Sequence, residues 1–117
     1  MSKSLEKIAI VGLGYVGLPL AIGFSKKYQV VGFDINKKRV KDLSNGRDST
    51  NEVINKQELL NKNIVYSSDP RSMKGSNFFI ITVPTPTTKS NKPDLSIIGK
   101  AANSIAPILE KGATVIL

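Results

Sequence analysis

The stretch Lys7-Ile8-Ala9-Ile10-Val11-Gly12-Leu13-Gly14-Tyr15-Val16-Gly17-Leu18-Pro19-Leu20-Ala21 decides the fold. Lys7 to Val11 is a short apolar run closed by glycine, the pattern of a buried strand. Three glycines then stand where a tight strand-to-helix turn needs them. Gly12 permits the turn out of the strand, Gly14 leaves the backbone open to a pyrophosphate, and Gly17 lets the next helix lie close on the sheet. Leu18, Leu20, Ala21, Ile22 and Phe24 continue as a nearly all-apolar helix. Pro19 is tolerable only near a first helical turn, so it sets the helix start close to Gly14. The free amides and partial positive charge of such a helix start attract anions. A glycine triplet by itself also arises in ordinary turns. Here it follows a strand, opens a helix, and is answered 22 residues after Gly12 by an acid, Asp34, at the end of the next apolar run, Gln29 to Phe33. That context marks a dinucleotide-binding unit with its phosphate loop at Gly12, Leu13, Gly14, Tyr15, Val16 and Gly17.

The carboxylate of Asp34 can accept both hydroxyls of an adenosine ribose, and its charge would repel a 2′-phosphate, so NAD is expected in preference to NADP. Lys37, Lys38 and Arg39 follow closely and could offset part of that repulsion; a solvated helix face accounts for the two lysines equally well.

Outward from this unit, apolar runs keep alternating with amphipathic segments, the pattern of a parallel sheet with crossover helices. Asn36 is placed to cap a second helix with Val40 and Leu43 three apart, and Gly46 follows its end. Arg47 to Lys56 is polar and reads as a loop, with a helical turn over Gln57 to Leu60. A third strand is expected at Ile64 to Tyr66, and Ser68-Asp69-Pro70 opens another short helix. Phe78 to Val83 reads as a central strand buried on both faces, running into Pro84-Thr85-Pro86, whose missing amides end the ladder. Asp94 caps a helix with Ile97, Ile98, Ala101, Ala102 and Ile105 at core-facing spacing, which Pro107 kinks or ends. Gly112 precedes a last apolar run, Ala113 to Leu117. The expected fold is therefore α/β, a Rossmann-type doubly wound parallel sheet in a single truncated domain, since that fold normally has six strands and five are visible.

The remaining features mostly exclude. The 117 residues suffice for a single domain core, and a mean hydropathy of −0.08 is ordinary for a globular interior. No apolar run approaches the roughly 20 residues that cross a bilayer, and the short polar N-terminus does not read as a signal peptide, so a cytoplasmic location is expected. With no cysteine and no histidine, thiolate zinc sites, cysteine nucleophiles and the usual general base are all excluded from this chain, and no metal site or catalytic residue is assigned. The formal net charge of +8 comes mainly from lysines spread along the chain without interleaved aromatics, which argues for solvated surface and against a nucleic-acid partner. Asp48, Glu52 and Glu58 could serve as acid–base groups, yet nothing in the sequence pairs them, and solvated loop carboxylates are the expectation. The Thr85 hydroxyl, just past the fourth strand, could bond the cofactor; a rigid strand exit without a ligand is the other reading.

Taken together, Ile8 to Ala21, Gly32-Phe33-Asp34-Ile35-Asn36 with Arg39, Val83-Pro84-Thr85-Pro86 and Pro93-Asp94-Leu95-Ser96 resemble the UDP-glucose/GDP-mannose dehydrogenase family, from about Lys7 to Leu117. The proline-flanked loop and the Pro-Asp-Leu-Ser helix start look most like its UDP-N-acetylhexosamine branch. The resemblance implies oxidation of C6 of a nucleotide sugar from alcohol to acid with two NAD, in the synthesis of surface polysaccharide. It implies NAD binding through Gly12 to Gly17, Asp34, Arg39 and Thr85, with the arginine against the adenine end. It also implies a UDP-sugar substrate held by a second domain, a catalytic cysteine beyond Leu117, and a homodimeric full-length enzyme. On that view this chain alone is inactive. UDP-glucose or GDP-mannose oxidation shares every cofactor motif, and a regulatory domain that senses NAD without chemistry is the alternative from another class.

Overall fold

The structure is a computed structural model and describes residues 6–49, 55–84, 89–92 and 94–117. Strand β1 (Lys7–Val11) leads through the glycine loop into helix α1 (Gly17–Ser25), and β2 (Gln29–Phe33) follows. Helices α2 (Lys37–Ser44) and α3 (Lys56–Leu59) precede β3 (Ile64–Ser67), a 3-10 turn at Pro70–Met73 and β4 (Phe78–Ile81). Helix α4 (Ser96–Ile105), a second 3-10 turn at Ala106–Ile108 and β5 (Thr114–Ile116) complete the order.

All four strand pairings are parallel, in the order β3-β2-β1-β4-β5. The chain therefore moves outward from β1 to β3, crosses back, and continues from β4 on the other side. That reversal beside β1 is the switch point at which doubly wound sheets bind ligands.

Alternation along the strands separates two cores. Ile8, Ile10 and Val30 point to the face covered by α1, α2 and α3, where Leu18, Ala21, Ile22, Leu43 and Leu59 meet them. Ala9, Val11, Val31, Phe33, Phe79 and Ile81 point to the opposite face, covered by Met73, Ala101 and Ile105. A sheet with helices on both faces needs strands that are apolar throughout, and these two sets of residues meet that need.

Several boundaries differ from expectation. The regular part of α1 begins at Gly17, although the Leu18 amide donates to the Gly14 carbonyl at 3.2 Å, so the turn itself does start at Gly14. The fourth strand ends at Ile81, two residues early, and it is not buried on both faces. Phe79 and Ile81 are buried, but Ile80 is half-buried and Phe78 exposed, because α1 lies over β1 and β2 and leaves the flank of β4 open. On α4, Ala101 and Ile105 enter the core while Ala102, one residue further round the helix, is exposed. The segment after Asp69 forms a 3-10 turn, its first amide, that of Arg71, bonded to Asp69 Oδ1 at 2.9 Å. Among the described residues no helix is long and apolar enough to cross a membrane.

Candidate functional site

A cavity of about 600 Å³ opens at the carboxyl ends of β1, β2 and β4, between the glycine loop and α4. That volume lies within the range of small-molecule and cofactor sites. Gly12, Leu13, Gly14, Tyr15 and Val16 form one wall, Asp34 and Ile35 one end, and Thr82 to Pro84 with the Ile97, Lys100, Ala101 and Ser104 stripe of α4 the other side.

The glycines of the loop do different work. Gly12 has φ +104°, a left-handed conformation, and its amide donates to the Phe33 carbonyl at 2.8 Å. A side chain at Gly17 would collide with the Gly12 carbonyl oxygen and sit 2.5 Å from Thr82 Oγ1, so α1 can reach the sheet only without one. A Cβ added at Gly14 meets nothing within 4 Å; it would project into open space. Tyr15 and Val16 are exposed, whereas the Leu13 side chain is buried in the α1-side core, so Leu13 offers the cavity only its backbone.

Asp34 follows β2 and folds back on the loop. Its Oδ2 accepts the Leu13 amide at 3.0 Å and its Oδ1 accepts the Asn36 amide at 2.9 Å. Each oxygen keeps further acceptor capacity toward the cavity. Asn36 in turn caps α2 by accepting the Arg39 amide at 3.1 Å.

The basic run after Asp34 divides. Lys37 and Lys38 are exposed, and Lys38 pairs with Asp42 at 2.9 Å. Arg39 is buried behind the loop and is not among the described residues that line the cavity. Its Nε donates to the Leu13 carbonyl at 2.9 Å, and its Nη1 donates to Asp48 Oδ1 at 2.8 Å and Ser49 Oγ at 3.3 Å. The expectation that Asp48 is an unpaired, solvated carboxylate is therefore overturned: its side chain is 1% exposed and ion-paired. Burial pushes the nearby Tyr66 phenol well above its usual range, against the pull of Arg39, and the neutral hydroxyl donates to the Leu59 carbonyl at 2.7 Å.

Thr82 was not anticipated. Its Oγ1 lies 2.7 Å from the Gly12 carbonyl, to which it donates, and its amide donates to the Val11 carbonyl at 2.9 Å. A hydroxyl at the end of the apolar run Phe-Phe-Ile-Ile-Thr-Val was the available signal. Lys100 and Ser104 were also missed, although they lie on the same α4 stripe as Ile97 and Ala101. Asp94 does not cap α4 as expected: the N-cap is Leu95, without a side-chain capping bond. Asp94, one residue earlier, accepts the Ser96 amide at 2.9 Å, a bond that, with Lys100 nearby, holds its carboxyl below the usual range. Pro84 lines the cavity; Thr85, Pro86, Pro93 and Glu52 lie outside the described residues. Glu58 is exposed, away from the cavity.

Comparison with known proteins bears on this cavity. Residues 6–117 match the model of the UDP-glucose/GDP-mannose dehydrogenase family, NAD binding domain. The chain is 48% identical over 111 residues to protein CapL of Staphylococcus aureus, and 46% identical over 110 residues to a UDP-N-acetyl-D-glucosamine 6-dehydrogenase of Salmonella typhi. These alignments cover 95% and 94% of the chain but 26% of each relative, so the chain spans about a quarter of their length. The UDP-D-ManNAc dehydrogenase of Pyrococcus horikoshii superimposes with a TM-score of 0.84 at 36% identity, covering 93% of this chain and 27% of that one.

Proposed function

The chain belongs to the UDP-glucose/GDP-mannose dehydrogenase family, whose NAD binding domain its residues 6–117 match, and from that premise we propose that it is the cofactor-binding part of a UDP-N-acetylhexosamine 6-dehydrogenase. The observation that carries this reading is the cavity walled by the Gly12–Val16 loop and ended by Asp34. Its open face at Gly14, where a Cβ would touch nothing, is what a pyrophosphate approaching the backbone requires. Its acidic end, with acceptor capacity left on Asp34, suits the hydroxyls of an unphosphorylated ribose and disfavours a 2′-phosphate.

In this proposal the amides of the loop and of the start of α1 hold the pyrophosphate, and Asp34 takes the adenosine ribose. Thr85 and Arg39 complete the proposed set, Arg39 from behind the loop through the Leu13 carbonyl. Bound NAD would supply the acceptor for the hydride removed at C6 of the sugar in each of two oxidations, from alcohol to carboxylate. The chain's own part is to bind and orient. With no cysteine or histidine it brings neither thiol nor imidazole to the reaction, so the groups that remove protons and hold the sugar are assigned to the rest of the full-length enzyme. The names of the similar UDP-N-acetyl-D-glucosamine and UDP-N-acetyl-D-mannosamine dehydrogenases support a UDP-N-acetylhexosamine as its substrate. A cytoplasmic, homodimeric enzyme serving polysaccharide synthesis fits the same reading.

Two measurements test it. Calorimetric titration of the chain should show NAD binding in preference to NADP, and equal or tighter NADP binding would overturn the cofactor assignment. Absorbance at 340 nm should report NADH formation from UDP-GlcNAc, UDP-ManNAc or UDP-GalNAc by the full-length enzyme and none by the 117-residue chain. A full-length preference for UDP-glucose or GDP-mannose would refute the branch assignment.

A further inference from the structure

The contacts behind the glycine loop form a continuous relay. Asp34 Oδ2 accepts the Leu13 amide, the Leu13 carbonyl accepts Arg39 Nε, and Arg39 Nη1 donates to Asp48 Oδ1. Leu13 is thus held on both sides: the same residue is pulled forward by the acid that ends the cavity and backward by a guanidinium the cavity does not see. The Leu13 side chain, at 1% exposure, cannot compensate by moving, because it is locked in the core.

Asp48 is a carboxylate that holds Arg39 in place. The guanidinium side chain is 9% exposed and its carboxylate partner 1%. A guanidinium that loses a carboxylate partner at such burial loses charge compensation, and turning toward water relieves part of the cost. Turning would release the Leu13 carbonyl, and with it one of the two polar contacts that hold Leu13 between Asp34 and Arg39. Asp48 lies in neither the loop nor the cavity; it stands after α2, beyond Gly46, whose φ of +78° lets the chain turn back.

We propose that Asp48, acting through Arg39 and the Leu13 peptide, is a positioning residue for the adenosine end of the cofactor site. This rests on the reading of the cavity as the NAD site. Asp48 thereby sets how tightly the ribose acceptor and phosphate loop are preorganised, and preorganisation of this kind reads out as affinity.

The test is calorimetry with NAD and with AMP, which carries only the adenosine and one phosphate, on the wild-type chain and on Asp48→Asn, Arg39→Met and the double variant. Asp48→Asn should weaken both ligands by about tenfold, and by the same factor, since both use that end of the site. In the Arg39→Met background the further loss from Asp48→Asn should be under about twofold, because the route through Arg39 is already cut. A residue that merely stabilised the fold would give equal losses in both backgrounds, and that result overturns the proposal. So does wild-type affinity in a folded Asp48→Asn chain. Failure of the wild-type chain to bind NAD or AMP overturns the cofactor reading itself, and the proposal with it. If circular dichroism shows Asp48→Asn unfolded, Asp48→Glu carries the measurement: it keeps the charge but displaces it by one methylene. Weaker AMP binding then supports the proposal, and unchanged binding refutes it.

Discussion

Gly14 and Gly17 belong to one motif, yet their replacement should fail in opposite ways. At Gly17 a Cβ would overlap the Gly12 carbonyl oxygen and press within 2.5 Å of Thr82 Oγ1. The first obstacle is backbone, and it is the backbone of a residue already fixed at φ +104°, so the strain cannot be relieved by a side-chain rotation. Gly17→Ala gains about 1 kcal/mol of helix propensity. Against it stand overpacking of about 1–3 kcal/mol and loss of the Thr82–Gly12 hydrogen bond, worth about 1 kcal/mol. The clash is severe enough to place the overpacking cost at the upper end, and a net destabilisation of about 2–3 kcal/mol follows. For a domain of this size that lowers the melting temperature by about 8–12 °C. Gly14→Val should instead leave the melting curve nearly unchanged, because its Cβ enters open space, while NAD binding falls below detection. Thermal denaturation by circular dichroism and calorimetric titration of both variants separate the two effects. A Gly17→Ala chain melting with the wild type would refute the packing argument. A Gly14→Val chain with undiminished affinity would show that no phosphate approaches the loop there.

Asp34→Asn should weaken NAD binding by about 1–2 kcal/mol, because a charge-assisted acceptor is lost, and narrow the preference over NADP; unchanged discrimination in paired titrations would remove Asp34 from the ribose site. Thr82→Val keeps the shape but leaves the Gly12 carbonyl without its hydroxyl donor, which should cost about 1 kcal/mol in urea denaturation. A stability equal to wild type would mean that water replaces the hydroxyl. In acid, Asp42, Asp69 and Asp94 should act together. Each is held below its ordinary 3.8, by bonds from Lys38, Arg71 and Ser96 respectively. A lowered folded value means stability that is complete above 3.8 and disappears as pH falls through the folded values. The melting temperature should therefore begin to drop below about pH 4, and Asp94→Asn should reduce the slope; an identical slope would exclude Asp94 from the effect.

The parts readable from sequence are those whose meaning is local. Gly12 is required by a turn, Gly17 by an approach one helical turn away, and Asp34 by its place at a strand end, so spacing alone locates them. The doubly wound parallel sheet followed because apolar runs of this length, separated by amphipathic segments, leave few topologies. Asp48 could not be read in that way. It sits among Arg47, Ser49 and other polar residues, a setting that in sequence looks the same whether the carboxylate faces water or a buried guanidinium. Only the packing of α2 against the loop decides, by burying Arg39, and the value of an ion pair depends on that burial more than on the residues in it. Leu13 divides between the two scales: its backbone stands in the cavity wall, while its side chain belongs to the core with Leu18 and Ile10. Lys100 and Thr82 fall between the two cases. The α4 stripe and the polar end of β4 were both visible, and what was missing was the knowledge that the two elements converge on the same cavity. The site is therefore readable to the depth of one element at a time, and the residues that join elements, Arg39 with Asp48 and Thr82 with Gly12, are where substitutions should reveal most about how the cavity keeps its shape.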